Sequence, residues 1–312
     1  MIEEKLGKVV KGLGGLYEVR ISDESGIDRI SCRAKGVLHR DEERVLIGDD
    51  VRVEIDSETQ GSVVISDVLP RKNSLIRPPM ANLDYIFIVF AAKHPAPVLE
   101  TVDKLISIAI YNNIEPVVVI TKSDMSASLA EEYREIYKLA GITAFVTSSK
   151  SGEGTDALMS YIRENVCCGK TAAFAGASGV GKSTLLNALF PSLSLATAEI
   201  SKKIQRGKHT TRHVEIFALS DEKDTGFLAD TPGFSLIDFA RFDFMPKDAL
   251  LSTFPDIDAY RGKCRYADCA HVGEGVDECA VAKAAEEGMI AESRLASYRA
   301  IYNVLKNKKT YE

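Results

Sequence analysis

Three short patterns, and the order in which they occur, constrain this chain more than any other feature. The glycine-rich run Gly176-Ala177-Ser178-Gly179-Val180-Gly181-Lys182-Ser183 lies past the midpoint, between an apolar strand pattern at 171–175 and a helical pattern at 182–189. That is the strand–loop–helix setting in which a loop cradles phosphate. Gly176 and Gly181 allow backbone angles and close approaches that a side chain would forbid. Backbone amides and the helix dipole then attract phosphate oxygens. Lys182 is expected to reach the β- and γ-phosphates, and the Ser183 hydroxyl, followed by Thr184, to ligate magnesium. Asp230-Thr231-Pro232-Gly233 follows the strand pattern 227–229. Alone it is an ordinary turn. Downstream of a phosphate loop, Asp230 is placed to act on the magnesium from beyond its direct ligands, and the Gly233 amide to meet the γ-phosphate. Thr121-Lys122-Ser123-Asp124 precedes both and follows the apolar run 116–120. A carboxylate at Asp124 can accept hydrogen bonds from N1–H and the exocyclic amine of guanine. Adenine presents no donors arranged that way.

In most GTPases the phosphate loop comes first and the guanine motif late. Here the same parts are cyclically shifted, which predicts a circularly permuted GTPase binding GTP and GDP. The usual first residue of the guanine motif is Asn; here it is Thr121, a change expected to loosen base affinity while keeping the discriminating acid. Thr147-Ser148-Ser149-Lys150 suits the loop that closes over the base, with Ser148 and Ser149 as candidate contacts. Between phosphate loop and Asp230, the segment Gly207-Lys208-His209-Thr210-Thr211-Arg212 is the expected switch, with Thr210 or Thr211 completing the magnesium shell. Ras-like GTPases place a water-orienting glutamine after the glycine of the Asp-Thr-Pro-Gly turn. Phe234 stands there instead, so unaided hydrolysis should be slow, and His209 is the nearest polar candidate to replace it.

The 312 residues are enough for two or three domains. Residues 1–70 read as about five short strands, at 8–10, 16–19, 36–38, 51–55 and 63–65, separated by glycine-rich turns. That fits a small barrel, either an OB-fold, a frequent oligonucleotide binder, or an SH3-like one. Residues 71–240 alternate buried strands with helical patterns at 99–110 and 129–140, the second capped by Ser128 and ended by Gly141. Such alternation implies a mainly parallel sheet. Residues 241–312 end in a helix with an apolar stripe at Leu295, Tyr298, Ile301, Tyr302 and Leu305, read as packing. The longest apolar run is too short to span a bilayer and the start has no apolar core, so no membrane and a cytoplasmic location are expected. A net charge of −6 gives no overall pull toward nucleic acid, although residues 199–213 are locally basic.

Cys264, Cys269, His271 and Cys279 fall within sixteen residues. Three thiolates and one imidazole make a closed tetrahedral zinc site of structural type. The remaining cysteines, Cys32, Cys167 and Cys168, read as ordinary thiols.

Together these residues resemble the small ribosomal subunit biogenesis GTPase RsgA family. The resemblance covers the barrel-like start, the shifted motif order, and the Cys/His cluster followed by the run 280–288. It implies a multidomain α/β chain: an N-terminal OB-like β-barrel, a central circularly permuted P-loop GTPase domain and a C-terminal helical zinc-binding domain. It also implies GTP hydrolysis stimulated by the small ribosomal subunit, a role in its late maturation, and contact with ribosomal RNA; a monomer is expected. Two other functions compete. A small-molecule ATPase or kinase would lack the guanine acid. A non-catalytic, GTP-gated RNA-binding assembly factor would bind GTP without turning it over, as Phe234 allows.

Overall fold

The computed structural model describes residues 2–23, 26–36, 44–56, 62–191, 215–220, 222, 225–230 and 238–308. The strands, in chain order, begin with β1 (Ile2–Leu13), β2 (Leu16–Asp23), β3 (Gly26–Ala34), β4 (Asp50–Asp56) and β5 (Ser62–Val68). Two short strands, β6 (Ser74–Leu75) and β7 (Met80–Ala81), pair with each other. Then come β8 (Tyr85–Ala91), α1 (Leu99–Tyr111), β9 (Glu115–Thr121), α2 (Ala127–Leu139), β10 (Thr143–Val146), α3 (Thr155–Asn165) and β11 (Thr171–Ala175). The chain continues with α4 (Lys182–Leu189), β12 (Glu215–Ala218), β13 (Phe227–Asp230), α5 (Pro255–Asp258), α6 (Ala280–Glu286) and α7 (Glu292–Asn307). Two compact units result: Met1–Ile86 with Met159–Phe174 and Phe190–Gly233, and Phe87–Leu158 with Ala175–Leu189 and Phe234–Glu312.

In the first unit, β1 pairs with β2 and with β4, β2 with β3, β3 in parallel with β5, and β5 with β4. The ring 1-2-3-5-4-1 is the OB-fold order and decides against an SH3-like barrel. Val9, Val19, Val51, Val53 and Ile65 are fully buried and fill its interior. Gly14 and Gly15, at φ of 58° and 80°, make the tight β1–β2 turn that residues with a Cβ resist. Of the strand expected at 36–38, residues 37 and 38 lie outside the described residues. The third strand described is β3, whose exposed, charged outer positions hide its strand character, with Cys32 and Ala34 pointing in. Gly12, one of the glycines expected to separate strands, lies inside β1. A register shift between Val9 and Lys11 marks a bulge in β1, and Lys11 beyond it also pairs with Glu215 of β12. β12 runs antiparallel to β13, and β13 parallel to β11, with Asp230 in register with Phe174.

In the second unit the strand order is β10-β9-β8. β9 and β10 are parallel, with Ile120 opposite Val146. Val117, Val118, Val119 and Ile120 are fully buried, as expected for a strand covered on both faces. α2 begins two residues before the predicted start. Ser126, not Ser128, occupies its N-cap in an extended conformation, because a single 3₁₀ turn at Ser123–Met125 ends there and the helix follows at once. Gly141, at φ 73°, ends it as predicted. The stripe on α7 is packing: Leu295, Tyr298, Ile301 and Leu305 are buried, and α7 lies along α1. Beside that stripe Arg294 donates to Asp103 of α1 at 2.6 Å and to both carboxylate oxygens of Asp256 of α5 at 2.9 and 3.1 Å. Its guanidinium also lies 4.5 Å from the Phe254 ring centre. No helix among the described residues is long and apolar enough to cross a membrane.

Candidate nucleotide and metal sites

The glycine-rich loop leaves β11 at Gly176, whose φ of 156° is favourable only to glycine. A Cβ there would collide with the Val89 carbonyl oxygen of β8. The loop is thus laid directly on backbone, and Gly179 and Gly181, at φ of 80° and 95°, complete its curl before α4 starts at Lys182. Ala177, Ser178, Gly179, Ser183 and Thr184 are exposed, while Val180 is buried and anchors the loop.

The turn at Thr121–Asp124 holds that loop. The buried Thr121 hydroxyl lies 2.5 Å from the Val180 carbonyl oxygen and 3.1 Å from that of Phe90. Lys122 adopts a left-handed conformation, at φ 58° and ψ 38°, uncommon for a residue with a side chain. The ammonium of Lys122 donates to the Gly179 carbonyl at 2.7 Å and the His94 carbonyl at 2.5 Å. In a trans peptide the carbonyl and the following N–H point opposite ways. With the Gly179 and Val180 carbonyls drawn toward Lys122 and Thr121, the amides of Val180 and Gly181 face away, free to meet an anion.

Asp124 follows within the same turn. Ser148 donates to its Oδ1 at 2.8 Å, and the Lys150 ammonium lies 4.0 Å from Oδ2. The carboxylate is oriented yet still about a quarter exposed, at 27%. Both loops leave the carboxyl ends of neighbouring parallel strands, where ligands of α/β sheets bind. Ser149 is half-buried in the second loop. Asp230 closes β13, while His209, Thr210, Thr211, Gly233 and Phe234 lie outside the described residues, as does the whole of the basic 199–213 stretch. Sequence reasoning missed two groups, the His94 carbonyl and Glu153. A backbone acceptor leaves no trace in residue type, and Glu153 sits in a polar loop where an acid is unremarkable.

Cys264, Cys269, His271 and Cys279 converge, with all four ligand atoms within 4.8 Å of one another. The His271 Nδ1 is 3.4, 3.5 and 3.5 Å from the three sulfurs, and Cys264 and Cys279 sulfurs are 3.9 Å apart. Tetrahedral bonds of about 2.3 Å to sulfur and 2.0–2.1 Å to nitrogen give edges of about 3.8 and 3.6 Å, so the donor set fits zinc. Backbone amides prepare the thiolates: Ala282 N–H donates to Cys279 Sγ, which caps α6, and Ala280 N–H to Cys264 Sγ. Burial lowers the His271 pKa, keeping its ring neutral and able to ligate, and pushes the Cys269 thiol up to about 12. A divalent cation reverses the second effect, because it binds the thiolate. His271 is itself left-handed at φ 62°, its carbonyl accepting from Arg299 and that of Ala270 from Tyr298, so α7 sets the ligand loop.

A phosphate loop and a guanine-type turn joined in this way, preceded by an OB barrel, define a circularly permuted GTPase. The solved structure of YloQ, a circularly permuted GTPase, matches with a TM-score of 0.75 and 31% identity, over 99% of this chain and 98% of that one. YjeQ from Thermotoga maritima matches with a TM-score of 0.76 and 32% identity, over 98% and 100%. The chain belongs to the RsgA GTPase family, whose models match residues 68–240 (RsgA GTPase) and 6–63 (RsgA N-terminal domain). It is therefore a GTP hydrolase by family. The small ribosomal subunit biogenesis GTPase RsgA of Alkaliphilus metalliredigens is 37% identical, covering 98% of this chain and 99% of its own length. The small ribosomal subunit biogenesis GTPase RsgA 2 of Listeria monocytogenes is 40% identical, over 97% and 98%.

Proposed function

We propose that this protein hydrolyses GTP in the late maturation of the small ribosomal subunit, and that the subunit stimulates the reaction. The observation that supports this most is the pair of bonds from Thr121 and Lys122 to consecutive phosphate-loop carbonyls, which bring a guanine-selecting acid and a phosphate cradle to one place. Full-length similarity to relatives named for small-subunit biogenesis supports the biological setting.

In this reading Asp124 takes the guanine edge, Ser148 and Ser149 close over the base, and the loop from Gly176 to Thr184 wraps the phosphates. Lys182 neutralises β- and γ-phosphate charge. Ser183 and Thr210 or Thr211 would ligate magnesium, with Asp230 acting on it from beyond its direct ligands, and the ion would supply positive charge to offset the phosphates; the Gly233 amide meets the γ-phosphate. His209 orients the attacking water. One zinc at Cys264, Cys269, His271 and Cys279 is structural, since four protein ligands leave no open position. The barrel contacts ribosomal RNA. We take the working domains as 1–70, 71–240 and 241–312, and the protein as a cytoplasmic monomer; thiols arranged for a metal rather than for disulfides suit that compartment.

The test is GTP turnover with purified small subunits, large subunits and neither. Stimulation by small subunits alone is expected. Binding of GTP with no turnover under any condition would favour the alternative, a GTP-gated assembly factor without catalysis.

A further inference from the structure

We infer that Glu153, which lies outside every nucleotide motif, is a positioning residue for guanine selection; this rests on the reading of Asp124 as the guanine acid. The two loops that make the base site come from different strands, so something must fix one against the other. The Glu153 carboxylate accepts a hydrogen bond from the Ser123 hydroxyl at 2.9 Å. Ser123 is buried, lies immediately before Asp124, and donates its N–H to the Thr147 carbonyl at 3.2 Å. Glu153 is held from its own side as well. Its carbonyl accepts from Ser148 N–H at 2.9 Å, and Gly152 N–H returns to the Ser148 carbonyl at 2.8 Å. The next residue, Gly154, has φ 68° and passes so close to the Val146 carbonyl that a Cβ would collide with it. The loop 148–153 is thereby a closed ring seated on the end of β10. From it Ser148 reaches Asp124 itself, and the Glu153 side chain reaches the residue before Asp124.

 The Glu153 carboxylate and the Ser148 hydroxyl thus act as two struts, on adjacent residues, that set the angle at which Asp124 meets the base.

The test compares GDP with inosine diphosphate, which lacks the exocyclic amine that Asp124 reads. Both are titrated into the full-length chain and into Glu153→Ala, Glu153→Gln, Ser123→Ala and Asp124→Asn. Loss of one such hydrogen bond should weaken GDP binding by about three- to tenfold in Glu153→Ala. Inosine diphosphate should lose less, so the preference for GDP narrows. Glu153→Gln should bind nearly as the parent does, because its amide oxygen still accepts from Ser123. Ser123→Ala should reproduce Glu153→Ala, and the double variant should be no worse than either single one. Equal losses for both nucleotides, or normal GDP binding in Glu153→Ala while Asp124→Asn loses it, overturn the inference alone. Normal GDP binding in both Glu153→Ala and Asp124→Asn overturns the guanine-site reading and the inference with it.

Discussion

The hydroxyl at position 121, where Asn is more usual, fastens the phosphate loop through the Val180 carbonyl. Thr121 is buried against the Val180 and Phe90 carbonyls, so its side chain faces the loop. Thr121→Val removes the donor at nearly constant volume and leaves the Val180 carbonyl short of a partner. Titration should show GDP and GTP weakened together by about tenfold, roughly 1.4 kcal/mol, with Thr121→Ser close to the parent. Parent-like affinity in the valine variant would show that the hydroxyl does not hold the loop. Asp124→Asn should instead change base preference, weakening GTP and favouring xanthine nucleotide, whose C2 carbonyl suits an amide donor. Unchanged GTP affinity there would remove Asp124 from the base site. At this scale the motifs were legible because phosphate loops demand glycine at Gly176 and guanine demands a carboxylate. The left-handed turn at Lys122 was not legible, since its conformation depends on two carbonyl partners far away in sequence.

Among the elements, those that bury both faces could be read from apolar runs, as at β9 and β11, and α4 matched its predicted range. β3 and β12 could not. Most β3 side chains point to solvent, and its pairing with β2 and β5, rather than its own composition, makes it a strand. The Arg294 triad was equally hidden, because α1, α5 and α7 supply one charge each from distant parts of the sequence. Its members are almost wholly buried, so breaking it strands an ion. Arg294→Ala should cost about 3–5 kcal/mol in denaturant unfolding, whereas replacing the whole triad with apolar residues of similar volume should cost much less. An arginine deletion costing under about 1 kcal/mol would mean that the charges are hydrated. The cysteine cluster belongs to this scale too. Protein purified without added metal should carry about one equivalent of zinc, and chelation should unfold the C-terminal segment. Less than about a tenth of an equivalent with that segment still folded would exclude a structural zinc.

For the whole molecule, the permuted order decides what a nucleotide change can reach. β12 begins at Glu215, four residues after Thr211, and Glu215 pairs with Lys11 of the barrel both in strand register and through an ion pair at 3.3 Å. The Asp230–Gly233 motif leads, on its other side, into the chain that carries the cysteine cluster. A partner gripping the barrel therefore has a short route, through the Lys11–Glu215 pair and then four residues of chain, to the threonines proposed as the switch. Phe234 removes the usual water-orienting amide, so the free protein should turn over slowly. Ras, with its glutamine, manages only about 4 × 10⁻⁴ per second alone and gains about 10⁵-fold from a partner. Small subunits, and not large ones, should raise GTP turnover here by at least about tenfold, equivalent to about 1.4 kcal/mol of barrier. His209→Ala should lose most of that gain while binding GTP normally, because it removes a contact made in the transition state and not in the ground state. Normal stimulation of His209→Ala would remove only the histidine from the mechanism. Failure of small subunits to change the rate of the parent protein would remove the ribosomal coupling itself.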